Sequence, residues 1–173
     1  MRRGGSILID QLRVQGVASI FMVPGESFLA ALDALFDSPS PRGIICRHEG
    51  GAAMMAEATG KLTGRPGVAF VTRGPGAANA ASGLHVAHQG QTPMVLLVGL
   101  PKLAHLSRSA FQDFDIVAAF GGMAKSVEIV GEAARIPEFV ARAWGIAMSG
   151  RPGPVVLGLP EDVLMASADC PDA

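Results

Sequence analysis

Two hydrophobic periods alternate along the chain. Short, almost wholly apolar runs predict strands at Ser19–Val23, Gly43–Arg47, Gly67–Thr72, Pro93–Val98, Ser126–Val130 and Pro154–Leu159. Continuous apolar runs of this kind mark parallel strands covered on both faces. Between them, apolar residues spaced three and four apart predict helices at about Gly5–Gln15, Ser27–Phe36, Gly50–Leu62, Gly76–His88, Asp113–Phe120 and Glu132–Met148. In the last of these, Ile136, Phe139, Val140, Ala143 and Ala147 form one stripe, and Glu138 and Arg142 pair at i, i+4 on another face. The alternation predicts a three-layer α/β fold: an open, mainly parallel six-stranded sheet with helices on both faces. Residues 1–165 read as one domain. The segment 166–173, after a short turn at Glu161–Leu164, reads as the start of a linker.

Composition narrows the function classes. Charged residues make up 17% of the 173 positions, against about 25% in typical soluble domains. That shortage predicts a surface partly covered by another subunit or domain. The 14 basic residues are scattered and nearly balanced by 15 acidic ones, which excludes a nucleic-acid footprint or a polybasic membrane patch. From Gly74 to Pro101 no charged side chain occurs, but the longest apolar run there is Met94–Leu100. A bilayer span needs about 20 apolar residues, so no membrane segment is expected. Cys46 and Cys170 fit neither a metal spacing nor a disulfide framework, which predicts a reducing, cytoplasmic setting.

In open α/β sheets, ligands bind at the carboxyl ends of the strands. Three predicted strand ends carry unusual chemistry: Pro24-Gly25-Glu26, Arg47-His48-Glu49-Gly50-Gly51 and Arg73-Gly74-Pro75-Gly76. Glu49 opens a helix of small residues (Gly50, Gly51, Ala52, Ala53, Ala56). A helix dipole favours a carboxylate there whatever its role. The small neighbours also admit a flat ligand, and a carboxylate in such a dry place hydrogen-bonds a ring nitrogen strongly. The turn Gly74-Pro75-Gly76-Ala77-Ala78-Asn79 fails the dinucleotide pattern at its last position and lacks a phosphate-loop lysine, so a plain tight turn explains it equally well. His85 and His88 share a helix without a third ligand nearby, and no metal site is expected. Ala110-Phe111-Gln112-Asp113 follows a long loop. It reads either as a helix cap at Asp113 or as a loop presenting Phe111 and Gln112 to a site. Lys125, at a strand start, is by itself a lone surface charge.

Five segments recur in family order: Pro24-Gly25-Glu26, Arg47 to Ala53, Thr72 to Asn79, Ala110 to Asp113 and Ser149 to Val155. Together they resemble the N-terminal, pyrimidine-binding domain of thiamine-diphosphate-dependent enzymes of the acetolactate synthase group, from about Gly4 to Val163. The resemblance implies that Glu49 hydrogen-bonds N1′ of the cofactor's aminopyrimidine, whose imino tautomer then takes the thiazolium C2 proton. A small 2-oxo acid is next decarboxylated and its remainder passed to an acceptor. It also implies that Pro24, Gly25, Thr72, Gly76 and Asn79 line the pyrimidine pocket, that Gln112 acts in catalysis, and that Gln112 and Phe111 face the substrate. Lys125 matches a family lysine near the site entrance.

In that family the diphosphate is held through Mg²⁺ by a Gly-Asp-Gly motif on a second domain, and none occurs in these residues. The resemblance therefore implies half a site, completed by the diphosphate-binding domain of a partner subunit in a homodimer or homotetramer. The isolated chain is expected to be inactive. FAD, which family members bind mainly through a middle domain, is left open. The stretch Ser107 to Asp113 departs from the family pattern and leaves the substrate open, another 2-oxo acid or an acyl-CoA. Two further readings share these residues: a natural stand-alone subunit of a two-chain 2-oxo acid decarboxylase, and a non-catalytic nucleotide-binding or interaction module. Glu49 in its small-residue setting argues against the second.

Overall fold

The computed structural model describes residues Met1–Ala173. Six parallel strands form its centre: β2 (Ser19–Met22), β3 (Arg42–Ile45), β4 (Gly67–Val71), β5 (Met94–Leu100), β6 (Ser126–Ile129) and β7 (Pro154–Pro160). They lie in the order β3-β2-β4-β5-β7-β6. The helices are α1 (Gly4–Val14), α2 (Leu29–Asp37), α3 (Glu49–Thr63), α4 (Pro75–Gln89), α5 (Ile116–Phe120), α6 (Ile136–Met148) and α7 (Glu161–Met165). Two short strands, β1 (Arg2–Arg3) and β8 (Ser167–Ala168), pair antiparallel beside the sheet. The α/β sandwich expected from the sequence is present, and no helix is long and apolar enough to cross a membrane.

The layers follow from side-chain alternation on the central strands. Val68, Phe70, Val95, Leu97, Val155 and Leu157 point to one face, where Ile7, Leu8 and Leu12 of α1 and the stripe of α6 cover them. Ala69, Val71, Leu96 and Val98 point to the other face, under Ala53 and Ala56 of α3 and Ala77, Ala80 and Leu84 of α4. All residues of β4, β5 and β7 are buried, which is why these strands read as unbroken apolar runs. On the second face the helices are built from small residues and sit close together. A Cβ on Gly83 would stand 2.4 Å from Ala53 Cβ, so α3 and α4 need glycine where they cross.

Three local expectations are corrected. The helix expected from Asp113 begins only at Ile116; Asp113 instead closes a turn of the preceding loop, its N–H donating to the Ala110 carbonyl at 2.9 Å. The cap is Asp115, whose carboxylate accepts from Val117 N at 3.0 Å and Ala118 N at 2.9 Å. The helices expected from Ser27 and Glu132 each begin with a 3₁₀ turn, Glu26–Phe28 and Ala133–Arg135, before α2 and α6. The segment 166–173 folds back instead of trailing away. Beyond the β1–β8 pairing, Arg2 donates to the Cys170 carbonyl at 2.9 Å and pairs with Asp172 at 2.8 Å.

The sheet order also places a crevice. From β2 the chain steps outward to β3, then returns to lay β4 on the other side of β2. Strand order therefore reverses between β2 and β4, and their carboxyl ends diverge into helices on opposite faces. Such a switch point is where α/β sheets take ligands.

Candidate functional site

Residues from three strand ends meet at the switch point. After β2, Gly25 lets the chain pass against the end of β4: a Cβ there would lie 2.5 Å from Thr72 Cβ. Buried Ser27 and half-buried Thr72 join their hydroxyls across this contact at 2.8 Å. Below it Phe28 stacks on Phe70, ring centroids 3.9 Å apart, fixing the two loops relative to each other.

After β3, His48 caps α3, its Nδ1 accepting from Gly50 N at 3.0 Å. Glu49 is thus the first helical residue, where the dipole favours its charge. Asn79, one turn into α4, donates Nδ2–H to Glu49 Oε2 at 2.9 Å. The other oxygen, Oε1, faces bare backbone. A Cβ at Gly76 would stand 3.3 Å from Oε1 and 2.8 Å from Thr72 Cγ2. The carboxylate is half-buried rather than in the dry environment expected, and Gly51, Met54 and Met55 leave the adjoining face of α3 exposed.

After β4, Gly74 turns the chain at φ 52°, and its missing side chain admits the Gln112 carbonyl, 2.8 Å from where a Cβ would sit. This packs the 107–112 loop over the end of β4. Phe111 lies 72% exposed with its ring 5.8 Å from the Arg73 guanidinium. Pro24 is exposed on the neighbouring loop.

Pro24, Gly25, Glu49, Thr72, Gly76, Asn79, Phe111 and Gln112 therefore share one end of the sheet. Lys125 does not, which corrects the expectation that it lies by the site entrance. It precedes the first residue of β6, at the amino edge of a sheet whose carboxyl edge holds Glu49. The length of β7 separates the two edges, roughly 20 Å at 3.3 Å per residue. There Lys125 Nζ donates to the carbonyls of Ile146 and Ser149 and caps the end of α6. His85 is exposed and His88 half-buried on α4, and no cluster of three or more His, Cys, Asp or Glu side chains is arranged to hold a metal.

Arg73 and Glu26 lie within these motifs, and their sequence alone assigns them no role. Arg73 is 7% exposed, and its Nη2 donates to Glu26 Oε1 at 2.5 Å. Its Nη1 faces Glu161 Oε2 at 3.9 Å. The only signal along the chain is an arginine set between an apolar strand and a glycine turn.

A carboxylate held by an amide beside a glycine floor thus stands at the switch point of a parallel sheet. Residues 2–119 match the family described as thiamine pyrophosphate enzyme, N-terminal TPP binding domain, and the chain belongs to that family. It is similar to acetolactate synthase isozyme 2 large subunit of Escherichia coli (strain K12), 36% identical over 166 residues, 96% of this chain and 30% of that protein. Acetolactate synthase of Bacillus subtilis (strain 168) is 41% identical over 162 residues, 94% of this chain and 28% of that protein. The chloroplastic acetolactate synthase of Arabidopsis thaliana is 36% identical over 162 residues, 94% of this chain and 24% of that protein. The chain spans less than a third of the length of each of these relatives.

Proposed function

We propose that this chain is the pyrimidine-side half of the active site of an acetolactate-synthase-like carboligase acting on small 2-oxo acids. The observation that carries this reading is the Glu49 carboxylate: Oε2 is fixed by Asn79, and Oε1 is left facing the space that Gly76 keeps open. That geometry fits an aminopyrimidine ring, with Oε1 as hydrogen-bond partner of a ring nitrogen and the glycine floor admitting the ring's face. A methyl group at Gly76 would fill the same space.

When bound, thiamine diphosphate supplies the electron sink for decarboxylation. The chain's own residues bind and orient it. Glu49 holds or takes a proton at N1′, Asn79 keeps the carboxylate turned, and Thr72, Gly25 and Pro24 form the wall. Phe111 and Gln112 stand on the loop nearest the substrate. Diphosphate, Mg²⁺ and any FAD would be held by residues outside these 173. We place the completing domain on a second subunit of a homo-oligomer, because the α3 face beside Glu49 exposes Met54 and Met55.

The test is Glu49→Gln in the assembled enzyme, read by exchange of the cofactor's C2 proton. The amide keeps the shape but cannot hold the proton, so exchange should slow by about 10²–10⁴-fold. Exchange at the wild-type rate would remove Glu49 from this role.

A further inference from the structure

We propose that Arg73 is a specificity-determining residue of this site, its guanidinium receiving the carboxylate of a 2-oxo acid. The inference deepens the carboligase reading above and rests on it. A guanidinium offers five N–H donors in a planar fork. Here Nη2 donates to Glu26 Oε1, Nη1 only faces Glu161 at 3.9 Å, and the buried Nε has no partner at all. The residue is 7% exposed, and a buried donor without an acceptor is a standing cost to the fold.

Position and shape point the same way. Arg73 is the next residue after Thr72, and Thr72 and Glu49 flank the same open space over Gly76. The Nε and Nη2 edge of the fork matches a planar carboxylate, which binds it with two parallel hydrogen bonds. Glu26 occupies half of that edge with one oxygen, and its side chain is 69% exposed, so it returns to water when a ligand takes its place. The exposed Phe111 ring over the guanidinium adds an apolar wall beside the anion. A mere tie between two loops would need neither the free Nε nor the open aromatic face.

The experiment is a titration of the chain followed by nitrogen–proton correlation of the arginine Nε–H group. Pyruvate should move the Arg73 signal saturably, with a Kd on the order of 1 mM. Acetaldehyde, which lacks the carboxylate, and chloride at equal concentration should leave it in place. Arg73→Lys keeps the charge and loses the fork, so pyruvate binding should weaken by about tenfold or more. Glu26→Gln removes the competing charge and should tighten it severalfold. An unsaturable or absent response to pyruvate, an equal response to chloride, or loss of binding in Glu26→Gln each overturns the assignment. The wild-type titration decides even where a variant fails to fold. Thiamine diphosphate, titrated separately and read at the Asn79 side-chain amide, keeps the two ideas apart. With the completing domain and Mg²⁺ supplied, a response at Asn79 without one at Arg73 sinks the arginine assignment alone, and silence at Asn79 sinks the cofactor reading.

Discussion

Between Thr72 and Gly76 the chain gives up side-chain bulk wherever a ligand or another loop must approach. Gly74 takes the Gln112 carbonyl and Gly76 leaves Glu49 Oε1 uncovered. Gly76→Ala separates binding from folding at this spot. The added methyl would meet Thr72 Cγ2 at 2.8 Å and Oε1 at 3.3 Å, and both side chains are already tied, to Ser27 and to Asn79. Stability should fall by about 1–3 kcal/mol, while thiamine diphosphate binding should weaken by tenfold or more because the ring's floor is filled. Calorimetric titration beside thermal unfolding measures both. Equal affinity in wild type and Gly76→Ala would show that the ring lies elsewhere.

Among the elements, α6 shows how charge organises a surface helix. Its apolar stripe is buried as the periodicity predicts, and Arg142 reaches Glu138 at 3.4 Å as the spacing predicts. The closer partner of Glu138 is Arg135, at 2.8 Å, just before the helix begins. That hydrogen bond, with the nearby positive charges, holds the Glu138 carboxyl below its ordinary range. A group whose value is lowered by folding adds stability above its unfolded value, and that stability is lost as pH falls through the folded one. From about pH 5 downward, through the range below the ordinary value of a glutamate carboxyl, wild type should lose stability that Glu138→Gln does not, a small difference because the pair is exposed. Parallel slopes in urea unfolding across that pH range would refute it.

Elements whose identity is set by local pattern were legible from sequence. The strands β4, β5 and β7 are buried on both faces and so spell out apolar runs, and α6 carries a clean stripe. Glu49 and Asn79 stand in separate motifs, and only the fold shows the 2.9 Å contact that joins them across 30 positions. What escaped depends on contacts between distant positions or on how a loop folds. Asp113 and Asp115 are equally good caps by type, and only the folded loop, which ties Asp113 back to Ala110, leaves the role to Asp115. Arg73 acquires meaning only from Glu26, 47 residues earlier. Lys125 matched a family pattern, yet its strand begins at the far edge of the sheet.

At the scale of the whole molecule, the two ends of the chain are tied together next to α7. Arg2 binds Asp10 at 2.8 Å, Asp172 at 2.8 Å and the Cys170 carbonyl at 2.9 Å. Buried Gln11 exchanges two hydrogen bonds with the Ala173 backbone. This clasp fixes β8, which lies directly after α7, and α7 opens with Glu161, the second carboxylate beside Arg73. Loosening the clasp should therefore be felt at both levels. Arg2→Ala removes two ion pairs that are about one-third exposed, so unfolding free energy should drop by about 1 kcal/mol after allowance for screening, with the loss shrinking in high salt. The core is untouched, so the denaturant slope should not change. In the same variant the Arg73 Nε–H signal should broaden, because the helix carrying Glu161 is no longer held at its far end. Full destabilisation with an unaltered Arg73 signal would mean that β8 holds the termini together without bearing on the site.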